Sequence, residues 1–116
     1  GSIEYAAVEL GAKLVVVLGH SNCGAVDATL QALREERVLA SPNLYALVDR
    51  IRPAIQSAGG PDTDLKDAVV ANVHHSVGSL QHDSPILEEL VASGDLAIVG
   101  AEYSIESGEV TFLDGS

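Results

Sequence analysis

The sequence has few aromatic residues, few basic residues and only one cysteine. Its 116 residues include three Tyr, one Phe, no Trp and no Met, and 6 Lys and Arg face 17 Asp and Glu. The formal net charge of −11 argues against nucleic acid or an anionic membrane surface as the main partner, because both repel an acidic chain. With so few aromatic side chains, the core must be packed with Ala, Val, Leu and Ile.

The single cysteine, Cys23, excludes an internal disulfide. Unpaired cysteine is typical of reducing compartments, so we expect a cytoplasmic location. No apolar run approaches the roughly 20 residues of a membrane span, and no signal-peptide pattern is visible. A hydrophobic content of 47% suits one core, and the sequence therefore predicts a single domain over residues 1–116.

Helical and strand patterns alternate along the chain. Leu14–Leu18 is a continuous apolar run, which is typical of a strand buried on both faces. Two further strands are predicted at 96–104 (LAIVGAEYS) and 109–114 (EVTFLD). Helices are predicted from a Ser2 cap to Gly11, from about Gly24 to Arg34, from Asn43 to Ile55 after a Ser41 cap, from an Asp62 or Thr63 cap to about His82, and from Ile86 to Ala92 after a Ser84 cap.

This alternation predicts an α/β fold with a mostly parallel β-sheet flanked by helices. Within the third helix, Pro53 is expected to end or kink the chain. The sheet is small for this many helices, and a buried parallel strand normally has neighbours on both edges. We therefore expect part of the domain to be absent from this sequence, on its N-terminal side.

The segment GHSNCG, residues 19–24, places His20 three residues before Cys23. The end of a strand and the start of a helix converge where α/β sheets bind ligands. A helix N-terminus favours the thiolate form of cysteine, and imidazole is the other common zinc ligand. Glycines at positions 19 and 24 allow the backbone to turn tightly around the pair.

The spacing H-x-x-C by itself leaves three interpretations open. His20 and Cys23 are two ligands of a metal site, a catalytic thiol with its base, or an ordinary turn residue and a small buried side chain. A thiol hydrolase would need a third residue to orient His20 and would bind no zinc.

The sequence motifs around this segment resemble those of the β-class carbonic anhydrases. The match includes the helix SIEYA at 2–6, the core GHSNCG, the segment GDLAIVGAEYSIESGEV at 94–110 and TFLD at 111–114. This resemblance implies a β-carbonic-anhydrase-like fold, homo-oligomers, and zinc-dependent hydration of carbon dioxide to bicarbonate. It also implies that His20 and Cys23 are two of the three protein ligands of Zn²⁺.

Members of that family also carry an earlier C-x-D-S-R segment, which this sequence lacks. The resemblance implies that the segment supplies a third zinc ligand and an Asp–Arg pair at the fourth coordination position. We therefore expect this chain alone to be inactive. A non-catalytic carbonic-anhydrase-like module for binding or assembly is the alternative.

Other polar residues have ordinary structural interpretations. His75 as a proton shuttle and Asp27 as a carboxylate near Cys23 are weaker hypotheses than a surface or core role. Asn72 is interpreted as a structural amide. Tyr103 matches a position that binds regulatory bicarbonate in some relatives, but packing is the favoured role. REER, residues 34–37, is interpreted as a solvated helix end.

Overall fold

A computed structural model, which describes residues 1–35 and 39–113, confirms the α/β class. In chain order, the elements are α1 (Ser2–Glu9), β1 (Leu14–His20), α2 (Gly24–Glu35), α3 (Pro42–Ala58), a 3₁₀ turn (Gly60–Asp62), α4 (Leu65–His82), α5 (Pro85–Ser93), β2 (Ala97–Tyr103) and β3 (Val110–Leu113). Within those described ranges, no helix combines the length and apolarity that a membrane crossing requires.

The three strands form one mixed sheet in the order β1-β2-β3. β1 and β2 are parallel, with Leu14 opposite Ala97 and His20 opposite Tyr103. β3 is antiparallel to β2, which confirms the predicted third strand; Asp114, the last residue of that prediction, lies outside the described residues. The parallel register brings the carboxyl ends of β1 and β2 to the same edge.

Two of the predicted helix starts are confirmed by their capping bonds. The hydroxyl of Ser41 accepts a hydrogen bond from the Leu44 amide at 3.3 Å, and the Ser84 hydroxyl accepts one from the Leu87 amide at 3.3 Å. In both helices a proline follows the capping serine, where its missing N–H leaves no hydrogen bond unmade.

Two predicted caps were wrong. Gly1, not Ser2, precedes α1, and it makes no side-chain capping bond. The cap of α4 is Asp64, whose carboxylate accepts from the Asp67 amide at 2.9 Å, because residues 60–62 are taken up by the 3₁₀ turn.

The prediction that the helix containing Pro53 ends near Ile55 was also wrong. α3 continues past Pro53 to Ala58 and stops at Gly59, whose φ is 140°. Ile51, Ala54 and Ile55 are buried, so packing on both sides of the proline holds the helix together despite the missing backbone donor.

The core lies on the side of the sheet covered by α4. The buried residues form two clusters, one between α1, α4, α5 and β2 and the other between α2, α3 and α4. The buried face of α4 consists of Ala68, Val69, Val73 and Val77. α4 belongs to both clusters, so it connects the sheet to the other helices.

The opposite side of the sheet is exposed, and the prediction that β1 is buried on both faces was wrong. Along β1, exposed and half-buried positions alternate, with Leu14 57% and Leu18 54% exposed. Phe112 on β3 is 62% exposed and pairs with Ala101, which pairs with Leu18. α4 covers one face, and the described residues place no layer on the other.

Arg34 is exposed in the last turn of α2, as interpreted, but its guanidinium is also hydrogen-bonded. Its Nε donates to the Pro61 carbonyl at 2.6 Å, and its Nη2 donates to the Thr63 carbonyl at 2.7 Å. The guanidinium therefore ties the end of α2 to the loop between α3 and α4. Residues 36 and 37 of the same motif lie outside the described residues.

Gly19 allows close contact between β1 and α4, and its replacement is expected to destabilise the fold. A Cβ added at Gly19 would lie 2.5 Å from Cγ2 of Val73, which is buried and has a stiff side chain. We expect Gly19→Ala to lower the free energy of unfolding by about 1–3 kcal/mol, measured by urea denaturation.

The matched control for this substitution is Gly78→Ala in α4. No atom lies within 4 Å of a Cβ added at Gly78, so alanine there should raise stability by about 0.5–1 kcal/mol through helix propensity. Combining Gly19→Ala with Val73→Ala should relieve the overlap. A Gly19→Ala protein as stable as the original would contradict the close approach.

Candidate metal centre

His20 and Cys23 lie at the two ends of the segment that joins β1 to α2. His20 is the last residue of β1, and α2 begins at Gly24. Because β1 and β2 are parallel, this segment lies at the carboxyl edge of the sheet, where ligand sites of α/β proteins are found. The local fold therefore brings both predicted residues to one edge.

Cys23 occupies the cap position of α2. Its carbonyl accepts the first hydrogen bond of the helix, from the Asp27 amide at 3.0 Å. The side chain is half-buried and packs against the cluster that contains Val26 and Leu30. This packing limits the positions that the sulfur can take.

His20 is exposed, and its ring is oriented by the backbone. Nδ1 lies 2.9 Å from the carbonyl oxygen of Ser21. A proton on Nδ1 satisfies this contact and leaves the lone pair of Nε2 for a ligand. Metal-binding histidines commonly make this type of contact, in which the second ring nitrogen donates to a carbonyl.

Cys23 also lines a groove of about 760 Å³ beside β1. Its walls are mainly apolar and include Val15, Val17 and Ile51, with Asn72 and His75 among the polar residues. The structure therefore brings Asn72 and His75 to the same groove as Cys23, and both lie on α4.

The other candidate residues lie close to the segment without completing a site. Asp27 is half-buried in the first turn of α2, and Tyr103, which is 36% exposed, pairs with His20 across the sheet. Among residues 1–35 and 39–113, no group of three or more His, Cys, Asp or Glu side chains is placed to hold a metal ion. His20 and Cys23 are thus two donors of the right kind for zinc, fewer than a complete site needs.

Hydrogen bonds of Ser21, Asn22 and Glu106, none of which was predicted from the sequence, hold this segment in place. The Ser21 amide donates to the Tyr103 carbonyl at 2.9 Å, and the Ile105 amide donates to the Ser21 hydroxyl at 2.9 Å. Asn22 Nδ2 donates to Glu106 Oε1 at 3.1 Å. The side-chain contacts join residues 84 positions apart, so no local pattern indicates them.

Comparisons with known proteins agree with this fold. A family model described as Carbonic anhydrase matches residues 1–110. "Carbonic anhydrase 2" of Mycobacterium tuberculosis is 36% identical over 115 residues, 98% of this chain and 55% of that protein. "Carbonic anhydrase" of Mycolicibacterium smegmatis is 42% identical over 113 residues, 95% of this chain and 53% of that protein.

Solved structures give the same result. A β-carbonic anhydrase of the ascomycete Sordaria macrospora, one of two described as tetrameric, superimposes with a TM-score of 0.76 at 25% identity, over 97% of this chain and 57% of that chain. The β-carbonic anhydrase CcaA gives a TM-score of 0.74 at 28% identity, over 98% of this chain and 57% of that one.

The helices and the mixed sheet have the α/β fold of the β-carbonic anhydrases. The chain belongs to the β-carbonic anhydrase family. It spans about half the length of the curated relatives it matches.

Proposed function

We propose that the protein to which this chain belongs carries out zinc-dependent, reversible hydration of carbon dioxide to bicarbonate. The observation that supports this proposal best is the pair His20 and Cys23 on one short segment at the carboxyl edge of the sheet, in a chain whose residues 1–110 match the carbonic anhydrase family.

The donor set of this segment fits one part of a zinc site. His20 offers Nε2, since Nδ1 is engaged with the Ser21 carbonyl, and Cys23 offers a half-buried sulfur. In carbonic anhydrases a bound zinc lowers the pKa of water to about 7, a value established for that enzyme class and not for this chain. The role proposed for this chain is to hold the His20 imidazole and the Cys23 sulfur at fixed positions, where they would bind the zinc.

The remaining zinc ligand and the Asp–Arg pair are proposed to come from a C-x-D-S-R segment outside this sequence. This follows from the family resemblance and from the number of donors, because catalytic zinc sites commonly have three protein ligands and one open position.

A carbonic-anhydrase-like module without catalytic activity is the second candidate. The observation that favours it is the absence of any group of three metal-binding side chains among the described residues. Such a module would bind or assemble with other chains and would need no zinc. Metal binding by His20 and Cys23 separates the two candidates, and it also separates the first from a thiol hydrolase.

We also propose that the chain forms homo-oligomers. The exposed apolar face of the sheet supports this proposal, as does the tetrameric state of the two Sordaria relatives. A cytoplasmic location is proposed as well, supported by the single unpaired cysteine.

The purified chain is expected to bind zinc weakly and below one ion per chain, because the residues that the structure describes bring only two protein donors together, His20 and Cys23. Cys23→Ala or His20→Ala should weaken binding of Co²⁺, used as a spectroscopic substitute, by at least about tenfold. Elemental analysis and Co²⁺ titration measure these effects. His82→Ala is the matched control, since His82 is exposed and paired with Glu88 outside this segment.

One tightly held zinc per chain that survives Cys23→Ala would contradict this assignment. Tight zinc that is lost in the variant would instead show that a second copy supplies the remaining donors. Complete absence of Co²⁺ binding, in the chain and in a longer polypeptide alike, would favour the non-catalytic module.

A further inference from the structure

We propose that the turn between β2 and β3 positions the segment that carries His20 and Cys23, and that Glu106 does so through Asn22. This inference rests on the proposed function in one respect, namely that the segment holds a metal. Glu106 touches neither proposed ligand in the contacts described above, so it is a positioning residue.

Ser21 and Asn22 attach the segment to the end of β2 and to the turn that follows it. Ser21 makes one bond through its amide to Tyr103 and one through its hydroxyl to Ile105. Asn22 makes the third, to Glu106 at 3.1 Å. Cys23 therefore follows directly after the last residue that the turn holds.

Asn22 has an unusual backbone conformation. Its φ is 56°, the one positive φ of a non-glycine residue in the described part of the chain. Asparagine tolerates this left-handed region better than most residues, but it still prefers other conformations. Because Asn22 precedes Cys23, this angle sets the direction in which the chain enters α2, and the bond to Glu106 stabilises it.

The turn is itself well ordered by internal hydrogen bonds. The Ser104 amide donates to the Glu109 carbonyl at 2.9 Å, and the Gly108 amide donates to the Ser104 carbonyl at 2.8 Å. The Ser107 amide also donates to the Ser104 hydroxyl at 3.3 Å. Glu106 therefore lies on a turn whose conformation is fixed by its own hydrogen bonds, and a residue that positions another needs such a fixed backbone.

If the bond between Asn22 and Glu106 only stabilised the fold, its loss would lower the melting temperature. Asn22 and Glu106 are both exposed, and neither belongs to the two buried clusters. Exposed surface substitutions usually change global stability little. Loss of this bond should therefore loosen the segment while the melting temperature stays nearly unchanged.

Four variants of the chain test this role. Glu106→Ala removes the acceptor, Glu106→Gln keeps an acceptor oxygen, and Asn22→Gly keeps the positive φ without the side-chain amide. The fourth variant combines Asn22→Gly with Glu106→Ala. The readouts are amide hydrogen exchange of residues 22–24, the rate at which iodoacetamide alkylates the single thiol, the melting temperature, and the affinity for Co²⁺ alone.

We expect Glu106→Ala to speed exchange and alkylation by roughly two- to tenfold, the range equivalent to one net hydrogen bond, with little change in melting temperature. Glu106→Gln should behave like the original chain. The double variant should match Asn22→Gly, because Glu106 acts only through Asn22.

The proposal is overturned if Glu106→Ala leaves exchange and alkylation unchanged, if glutamine fails to substitute for glutamate, or if Glu106→Ala adds its full effect in the Asn22→Gly background. A fall in melting temperature that accounts for the faster exchange would also overturn it. If no protein in the series binds Co²⁺, the metal assignment fails for this chain, while exchange and alkylation still decide the positioning role.

Discussion

The 116-residue chain alone is expected to hydrate carbon dioxide no faster than the uncatalysed reaction, while a polypeptide extended through a C-x-D-S-R segment is expected to be active. The physical reason is the donor count, since His20 and Cys23 leave a zinc site short of a ligand. The expected difference is several orders of magnitude. Stopped-flow hydration assays on both proteins, with zinc content verified, measure it.

The extended protein also supplies the controls for this experiment. His20→Ala or Cys23→Ala should abolish its activity, while the surface variant His82→Ala should retain it. Fast hydration by the isolated 116 residues, with zinc present, would contradict the account of an incomplete ligand set. Activity of the extended protein that survives Cys23→Ala would contradict the role of Cys23.

The chain is also expected to associate in solution through the exposed face of its sheet. Leu14 and Phe112, which are 57% and 62% exposed, lie on this face, and full burial of such side chains contributes roughly 1.5–3 kcal/mol each. We expect the double variant Leu14→Lys, Phe112→Lys to require at least about tenfold more protein to associate. Light scattering over a concentration series measures this change.

Ile86→Lys is the matched control for this face, because Ile86 is 46% exposed but lies on α5. It should leave association unchanged. A monodisperse monomer with a cooperative melt, and no companion fragment in mass spectrometry, would contradict the prediction. An equal effect of Ile86→Lys would show that association is non-specific.

The helix starts at Ser41 and Ser84 were predictable, because a capping hydroxyl acts on an amide three residues away. The environment of β1 was not predictable in the same way. Its five apolar residues in succession match a strand with layers on both faces, and whether those layers exist depends on elements distant in sequence. Pro53 illustrates the same limit, since buried neighbours decided the course of α3.

Some residues of the candidate site could likewise be predicted from local sequence, and others could not. His20 and Cys23 could be located from the sequence, because residue type, spacing and the strand-to-helix position all lie within one short segment. Ser21, Asn22 and Glu106 could not be assigned their roles, because those roles come from the pairing of β1 with β2 and from the turn that follows.

The parallel pairing of β1 with β2 also has a consequence for protein synthesis. The side-chain hydrogen bonds of Ser21 and Asn22 join residues 84 positions apart. At synthesis rates of about 5–20 residues per second, roughly 4–17 seconds separate the translation of the two partners. During that interval the nascent β1 is an apolar strand that still lacks its β2 partner, and an unpaired apolar strand edge is prone to aggregation.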